Sequence, residues 1–351
     1  MKVAIIDADL IGRYQHRFPN LVCMKISGWH KMNGDSVILK TDYACLEEYD
    51  KVYIAKVFLD TVIPDGGILE LPNIEYGGTG FFYDKAKPLP TEIEHHMPDY
   101  HLYDNWLAKV DKGGKKFKAY KDYSIGFLTR GCFRHCPFCV NRRSSKVSAH
   151  SPLNEFLDDT RKKILLLDDN FLGYKDCVKL LTELINTGKS FCFKQGLDVR
   201  LLDTEKAEML FSAKYDGKFL FAFDNLGEAQ LIEEKLQMIS RYLKKDEARF
   251  YVLCGYDYSG KYDAEFWKSD LKNTCKRLKM LKQYQCLAYI MRHEKYQESP
   301  YAKLYNDLAA YANQPQFFSK MQFTDFIRKR HKQVEASAFK LEKFLSEKEK
   351  Y

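Results

Sequence analysis

The sequence contains no long run of apolar residues. Across its 351 residues, no stretch approaches the roughly 18 to 20 consecutive apolar residues that a membrane-spanning helix needs. The start MKVAIIDADLIGR places one lysine before a short apolar run that meets Asp7 and Asp9, and it lacks the long apolar region of a secretory signal. We therefore expect a cytoplasmic protein without a membrane partner.

The sequence also lacks motifs that bind phosphate groups. Its most glycine-rich turn, at residues 77–80, belongs to no GxGxxG motif and is not followed by Lys-Ser/Thr, so it indicates a backbone turn. The three histidines between residues 95 and 101 have neither cysteine neighbours nor helical histidine spacing. We interpret them as loop residues at the surface rather than as metal ligands.

The net charge is small for a chain of this length. A net charge of +8 permits an anionic partner without requiring one. We interpret the basic clusters as solvated faces, with contact to a nucleic acid as the alternative. These clusters are Lys112, Lys115, Lys116, Lys118 and Lys121, then Arg142, Arg143 and Lys146, and finally Arg328, Lys329, Arg330 and Lys332.

Residues 1–110 alternate strand and helix candidates, a pattern that indicates a small Rossmann-like domain followed by a linker. KVAIID, at residues 2–7, is typical of a buried parallel strand. A segment with helical spacing ends at Asn33-Gly34, and the strand candidates SVILK and YDKVYIAKVF follow. The prolines, glycines and lysines of residues 85–121 are typical of a linker, so we place a domain boundary near residue 110.

Residues 111–315 alternate strand candidates with amphipathic segments of helical length. The six units predict an α/β fold, a partial (βα)6 barrel that is open on one side. Residues 316–351 form a helical extension in this prediction. The strand candidates are SIGFLTR, KILLLD, SFCFKQ, KFLFAF, RFYVLCG and CLAYIM. The helix candidates are PLNEFLDDTRK, KDCVKLLTELINTG, DTEKAEMLFSAK, GEAQLIEEKLQMISRYLKK, DAEFWKSDLKNTCKRLKMLK and PYAKLYNDLAAYA.

Three of the ten cysteines are closely spaced. TRGCFRHCPFCVNRR places Cys132, Cys136 and Cys139 in CxxxCxxC spacing, directly after the first strand of the barrel. In a chain of this length without a signal peptide, cysteines more often stay reduced or bind metal than form disulfides. We interpret the scattered cysteines as core residues; they are Cys23, Cys45, Cys177, Cys192, Cys254, Cys275 and Cys286.

Three thiolates on one short loop favour an iron-sulfur cluster. They can bind three irons of a four-iron four-sulfur cluster and leave the fourth iron open. A structural zinc site is the alternative, with His135 as the nearest fourth ligand. His135 lies inside the first cysteine pair, however, whereas zinc sites normally combine one pair with a second pair farther along the chain.

The motif, with the aromatic Phe138 before its third cysteine, resembles that of the radical S-adenosylmethionine (SAM) superfamily. The preceding Rossmann-like layer resembles the branch with cobalamin domains and methylthiotransferases, and FPNLVCMKIS and QGLDVRLL resemble a phage and gut-bacterial group. The resemblance implies that SAM chelates the open iron and is cleaved by one electron to methionine and a 5′-deoxyadenosyl radical. It also implies a low-potential electron donor of the flavodoxin or ferredoxin type.

The resemblance places the SAM contacts at the carboxyl ends of the strands, where catalytic side chains of parallel barrels lie. Asp168-Asp169-Asn170 stand where family members often have Gly-Gly-Glu for the SAM ammonium group. Arg200 suits the methionyl carboxylate, and Asp224 suits the ribose hydroxyls. Each could instead be a turn or cap residue. The candidate cofactor-binding residues are Phe138, Asp168, Asp169, Asn170, Gln195, Arg200 and Asp224.

The resemblance leaves the substrate open among nucleic acid, nucleotide and peptide. Residues 7–12 are the nearest match to the DxHxxG motif of base-off cobalamin binding, with Asp9 in place of the cobalt-ligating histidine. We therefore expect that the protein binds no cobalamin. The alternative is that it binds cobalamin without any protein ligand to the cobalt. A second functional alternative is a non-catalytic iron-sulfur or electron-transfer protein that has lost SAM cleavage.

Overall fold

The computed structural model describes residues 1–331, with the exception of residues 14, 15, 17, 65 and 114. The chain divides into two compact units. The first comprises Met1–Asp169 and Gly188–Phe191, and the second comprises Asn170–Thr187 and the residues from Cys192 onward. This division differs from the segments 1–110, 111–315 and 316–351 expected from the sequence, which stay a prediction.

The structure is mixed α/β with parallel sheets. Its strands are β1 Lys2–Asp7, β2 Ser36–Lys40, β3 Lys51–Ala55, β4 Ile74–Gly77, β5 Tyr123–Gly126, β6 Thr129–Arg130, β7 Ser148–Ala149, β8 Lys163–Leu166, β9 Ser190–Phe193, β10 Phe219–Ala222, β11 Ala248–Cys254 and β12 Leu287–Arg292. Its helices are α1 Ala8–Gly12, α2 Leu21–Met32, α3 Thr79–Phe82, α4 Thr91–Glu94, α5 Asp104–Val110, α6 Lys118–Lys121, α7 Cys177–Asn186, α8 Thr204–Ser212, α9 Ala229–Ile239, α10 Ala264–Gln283, α11 Ala302–Ala312, α12 Pro315–Phe318 and α13 Phe323–Arg330.

A parallel sheet begins the first unit, with strand order β2-β1-β3-β4. Every residue of β1 after Lys2 is buried, as expected for the central strand of a covered parallel sheet. Asn20 begins α2, because its Oδ1 accepts the N–H of Val22 at 3.0 Å. Gly34, with φ of +79°, ends it in the left-handed conformation that glycine favours. The parallel strands and the helix predicted for this stretch are present, and the Rossmann-like domain stays a prediction.

Asp7, at the end of β1, is fully buried. Burial raises the pKa of its carboxyl from 3.8 to about 7; a hydrogen bond from Tyr103 opposes the rise and the neighbouring Asp9 adds to it. The folded protein therefore holds a proton that the unfolded chain releases above about pH 4. The contribution of Asp7 to stability is greatest below that pH and falls as the pH rises toward 7, because the unfolded state binds fewer protons there.

Asp7→Asn is expected to remove the part of the pH dependence that Asp7 contributes. One titrating group of this kind changes the free energy of unfolding by about 1.4 kcal/mol per pH unit. Urea unfolding of the native protein and the variant between pH 4 and pH 8 measures the slope. Asp159→Asn, which removes an exposed carboxylate of the same unit, serves as the control. Equal slopes for native and Asp7→Asn protein would contradict this account.

Residues 85–121 are part of the core of the first unit rather than a linker. Aromatic and aliphatic side chains of this stretch pack in the same buried cluster as Val3 and Ile5 of β1. Arg161, itself buried, donates to the carbonyls of Tyr100 at 2.8 Å and Tyr120 at 2.6 Å. The buried residues of the stretch are Ile93, Tyr100, Leu102, Tyr103, Leu107, Phe117 and Tyr120.

The segment predicted as the first barrel helix, PLNEFLDDTRK, contains only a short 3-10 helix, Leu153–Glu155. Asp158 accepts both the N–H and the hydroxyl of Thr160 through one carboxylate oxygen, at 2.8 and 2.7 Å. Such local side-chain bonds stabilise a turn in competition with a helix. The other five predicted helices are present as α7, α8, α9, α10 and α11.

The strands predicted for the barrel lie in two three-stranded sheets, β5-β8-β9 and β10-β11-β12. In the second unit, Leu197 forms an isolated parallel bridge with Phe221 of β10. Parallel α/β structure is therefore present, and the barrel stays a prediction. The predicted helix over residues 333–351 lies outside the described residues. None of the described helices combines the length and apolarity that crossing a bilayer requires.

Candidate functional site

The three clustered cysteines lie on a loop that a short hairpin closes. Strands β6 and β7 pair antiparallel, with Thr129 opposite Ala149 and Arg130 opposite Ser148, at the base of the loop. Cys132, Cys136 and Cys139 are each half-buried. The sequence placed the motif after the first strand of the barrel, and β5 immediately precedes this hairpin. Closure of the base limits the conformations that the cysteine loop can adopt.

Gly131 makes the turn into this loop. Its φ is +96°, and a Cβ atom built on it would lie 2.3 Å from the carbonyl oxygen of Lys146 and 2.5 Å from Oγ of Ser144. That hydroxyl accepts the N–H of Cys132 at 3.2 Å and donates to the carbonyl of Lys146 at 2.9 Å. The glycine of the TRGC sequence is therefore required by both conformation and space.

The donor chemistry of the loop fits an iron-sulfur cluster. Cysteine sulfurs are the ligands such clusters prefer, and hydrogen bonds to the sulfurs adjust their potential. The N–H of Asn141 donates to Sγ of Cys139 at 3.4 Å. His135, the fourth ligand of the zinc alternative, is exposed and has Nδ1 2.9 Å from the carbonyl oxygen of Arg142. Among the described residues, no three or more His, Cys, Asp or Glu side chains are gathered as a metal site.

Asp169 contacts both ends of the cysteine loop. Its Oδ2 accepts the N–H of Gly131 at 2.8 Å, and its Oδ1 accepts Nδ2 of Asn141 at 2.6 Å. The residue was predicted as a SAM contact from its position after the second barrel strand. In the structure, both of its carboxylate oxygens bind the loop.

Asp168 is fully buried beside the start of the hairpin. Its carboxylate accepts the N–H of Leu128 at 3.2 Å, and the N–H and hydroxyl of Thr129 at 2.6 and 2.7 Å. Burial raises its pKa to about 7, and the bonds from Thr129 and Leu128 oppose this rise. These contacts give Asp168 a role in fixing the backbone before the loop; its predicted contact with SAM stays a prediction.

Sequence analysis missed a second carboxylate that fixes the cysteine loop. Asp84 Oδ2 accepts Nε of Arg142 at 2.8 Å and Nε of Arg143 at 3.0 Å. Burial opposes ionisation of Asp84, but the bonds from the two arginines outweigh it and lower its pKa. The hydroxyl of Tyr83 donates to the carbonyl of Phe138 at 3.2 Å. Arg142 and Arg143, predicted as part of a basic face, are thus paired with an acid of the same unit.

The remaining predicted contacts belong to the second unit. Asn170 is buried and accepts the N–H of Gly173 through its carbonyl at 2.9 Å, whereas Gln195 is exposed. Arg200 pairs with both carboxylate oxygens of Asp198, from Nε at 2.6 Å and NH2 at 3.0 Å. Its NH1 bonds Glu228. The guanidinium of Arg200, predicted to bind the methionyl carboxylate of SAM, therefore already binds the carboxylates of Asp198 and Glu228.

Asp224 lines a cleft of about 470 Å³ in the second unit. One carboxylate oxygen accepts the N–H of Leu253 at 2.8 Å, and burial raises the pKa of the group. The cleft lies where β10 and β11 end, and the sequence analysis missed most of its lining. Ser269, Asn273 and Arg277 recur every four residues along α10, a spacing that could have revealed this face. The other lining residues are Asn225, Leu226, Gly227, Leu253, Tyr256, Asp257, Tyr258, Phe266 and Asp270.

No protein-family model and no curated protein matches the sequence. Among solved structures, the chain is similar to the cobalamin-dependent S-adenosylmethionine radical enzyme OxsB with aqua-cobalamin and S-adenosylmethionine bound. The identity is 12% and the TM-score 0.46, over 91% of this chain and 56% of that one. The apo, selenomethionine-labelled form gives 11% and 0.38, over 99% and 55%. The chain thus spans little more than half the length of these structures.

The expectation, drawn from the sequence, that the protein uses no cobalamin is wrong. The similar structures are described as cobalamin-dependent, two of them with aqua-cobalamin bound. Asp9, on which the expectation rested, is fully buried, and it accepts the N–H of Val57 at 2.7 Å and the N–H of Phe58 at 3.4 Å. A missing histidine ligand was too narrow a basis for that expectation.

Proposed function

We propose that this chain is a radical SAM enzyme in which Cys132, Cys136 and Cys139 hold a four-iron four-sulfur cluster with one open iron. The observation that carries the proposal is the CxxxCxxC loop itself, half-buried and closed by a hairpin after a buried parallel strand. When bound, the cluster supplies the electron that cleaves SAM to methionine and a 5′-deoxyadenosyl radical, which abstracts a hydrogen atom from the substrate.

The residues around the cysteines support this role. The N–H of Asn141 donates to Sγ of Cys139, a contact that would stabilise negative charge on this sulfur when it ligates iron. Gly131 and Ser144 fix the backbone on either side of the loop. The three cysteines are half-buried, which limits access of water to their sulfurs. The chain's own part is to present three sulfurs and leave one position unligated.

Among the proposed SAM contacts, Asp224 has the most favourable surroundings. One of its oxygens accepts the N–H of Leu253, so the other can accept a hydroxyl group from a ligand in the cleft. The aromatic side chains of Tyr256, Tyr258 and Phe266 line the same cleft and suit a planar base. We therefore propose that Asp224 binds the ribose hydroxyls of SAM. Phe138, Asn170, Gln195 and Arg200 stay predicted contacts.

Asp224→Ala is expected to weaken SAM binding and leave iron content unchanged. A hydrogen bond to a charged group contributes roughly 1.5 to 3 kcal/mol, so affinity should fall about tenfold or more. Equilibrium dialysis of SAM against the anaerobically reconstituted protein measures the change. Glu265→Gln, an exposed carboxylate of α10, is the matched control. Unchanged affinity in Asp224→Ala would remove this residue from the proposed site.

The substrate of the proposed enzyme is a nucleic acid, a nucleotide or a peptide, and the electron donor is a flavodoxin or ferredoxin. Several basic residues that favoured an anionic substrate are paired in the structure. Arg142 and Arg143 bind Asp84, and Arg330 binds Asp307 at 3.0 Å. The basic clusters therefore give less support to a nucleic acid than the sequence suggested.

Formation of 5′-deoxyadenosine tests the function. Anaerobically reconstituted protein, incubated with SAM and dithionite and without added substrate, should release 5′-deoxyadenosine and methionine. A protein that holds the cluster and binds SAM but releases neither product would instead be the non-catalytic iron-sulfur protein of the alternative.

A further inference from the structure

The cysteine loop is fastened at two points by one side chain. Asp169 binds the N–H of Gly131, the residue before the first cysteine, and the side-chain amide of Asn141, the second residue after the third cysteine. The two contacts, at 2.8 and 2.6 Å, use different oxygens of the carboxylate. All three cysteines therefore lie between the two residues that Asp169 joins.

We infer that Asp169 is a positioning residue that prearranges the cysteine loop for cluster binding. The inference rests on the proposed function, because it assigns Asp169 to the cluster loop rather than to SAM. Binding three irons requires the loop to be ordered, and ordering a free loop costs conformational entropy for each residue fixed. A side chain that joins the ends of the loop in the folded protein lowers this cost before any iron binds.

The surroundings of Asp169 suit this task. Asp169 is the third residue after the end of β8, and its neighbour Asp168 is fixed by three bonds from Leu128 and Thr129. The backbone of Asp169 is thus held against the start of the same hairpin that carries the loop. Hydrogen bonds to an ionised carboxylate are roughly twice as strong as those between neutral groups. Partial burial of Asp169 limits competition from water.

A double-mutant cycle tests the inference. We expect Asn141→Ala to speed iron loss to a chelator about tenfold, the size of one charge-assisted bond, and Asp169→Ala, which also loses the bond to Gly131, to speed it at least as much. Because both changes break the same contact, we expect the double variant to lose iron little faster than Asp169→Ala alone. Asp169→Asn should lose iron more slowly than Asp169→Ala, since an amide can accept from Gly131 and donate to the rotated amide of Asn141 through neutral bonds. Asp159→Asn is the control for loss of a carboxylate in the same unit.

Three outcomes would overturn the inference. Iron loss at the native rate in both alanine variants would show that the contact is dispensable. A double variant that loses iron about tenfold faster than Asp169→Ala alone would show that the two residues act independently. An Asp169→Asn protein that keeps its cluster but loses affinity for SAM would assign Asp169 to the cofactor instead. If Asp169→Ala fails to fold, Asn141→Ala, whose change lies on the loop itself, carries the test.

A second measurement separates this inference from the proposed function. Amide hydrogen exchange of the metal-free protein reports the order of the cysteine loop directly. We expect exchange in residues 131–144 to be about tenfold faster in Asn141→Ala than in native protein. Equal exchange in Asn141→Ala and native protein would overturn the inference that the contact between Asp169 and Asn141 orders the loop. Should native protein bind only zinc, the proposed function would fail, and the exchange result would still decide the role of Asp169.

Discussion

Cys132→Ala is expected to abolish the iron-sulfur cluster. With two thiolates left on the loop, a four-iron cluster loses one of its three protein ligands, and no other cysteine lies nearby in the sequence to replace it. Iron and sulfide should fall from about four of each per chain to a small fraction of that, and the visible absorption of the cluster should disappear. Colorimetric iron and sulfide analysis after anaerobic reconstitution measures both.

Cys45→Ala provides the control for this experiment. Cys45 is exposed and lies outside the cysteine loop, so its removal tests the loss of a thiol without touching the proposed ligands. It should retain the full cluster. A Cys132→Ala protein with native iron and sulfide content would contradict the assignment of this residue as a ligand.

Arg277→Met is expected to destabilise the second unit strongly. Arg277 is almost completely buried, and its guanidinium donates to the carbonyls of Phe223 at 2.8 Å, Asp224 at 2.9 Å and Leu253 at 2.9 Å. Burial lowers the pKa of Arg277, and the carboxylates Asp270 and Asp224 oppose this change. Each carbonyl left without a partner costs about 1 to 3 kcal/mol. The free energy of unfolding should therefore fall by about 3 kcal/mol or more.

Urea unfolding of the native protein and the Arg277→Met variant measures this loss. Arg241→Met, which removes an exposed arginine of the same unit, is the matched control and should change stability by less than about 0.5 kcal/mol. An equal effect of the two substitutions would show that the bonds of Arg277 to the strand ends contribute little to stability.

Strong periodicity made much of the fold predictable from the sequence. The apolar run of β1 and the amphipathic stripes of α7 and α10 are local patterns that packing preserves. The spacing of Cys132, Cys136 and Cys139 likewise needed no structure to be recognised. Five of the seven scattered cysteines are buried, as expected, whereas Cys45 is exposed and Cys192 half-buried.

Contacts between residues distant in sequence explain what could not be predicted. The aromatic residues of 85–121 are separated by lysines and prolines, and only the folded chain shows that Tyr103 packs in the same core as β1. Pairing of β6 with β7 involves two residues on each strand, too few for a periodic signal. The roles of Asp84 and Asp169 depend on hydrogen bonds to residues at least 28 positions away.

Electron paramagnetic resonance of the reduced, reconstituted native protein, recorded before and after addition of SAM, tests the central claim most directly. The claim is that three cysteines hold a four-iron cluster with one iron open to SAM. It predicts about four irons and four sulfides per chain and a cluster signal that changes when SAM binds. Zinc as the only metal, or a cluster whose signal is the same with and without SAM, would contradict it.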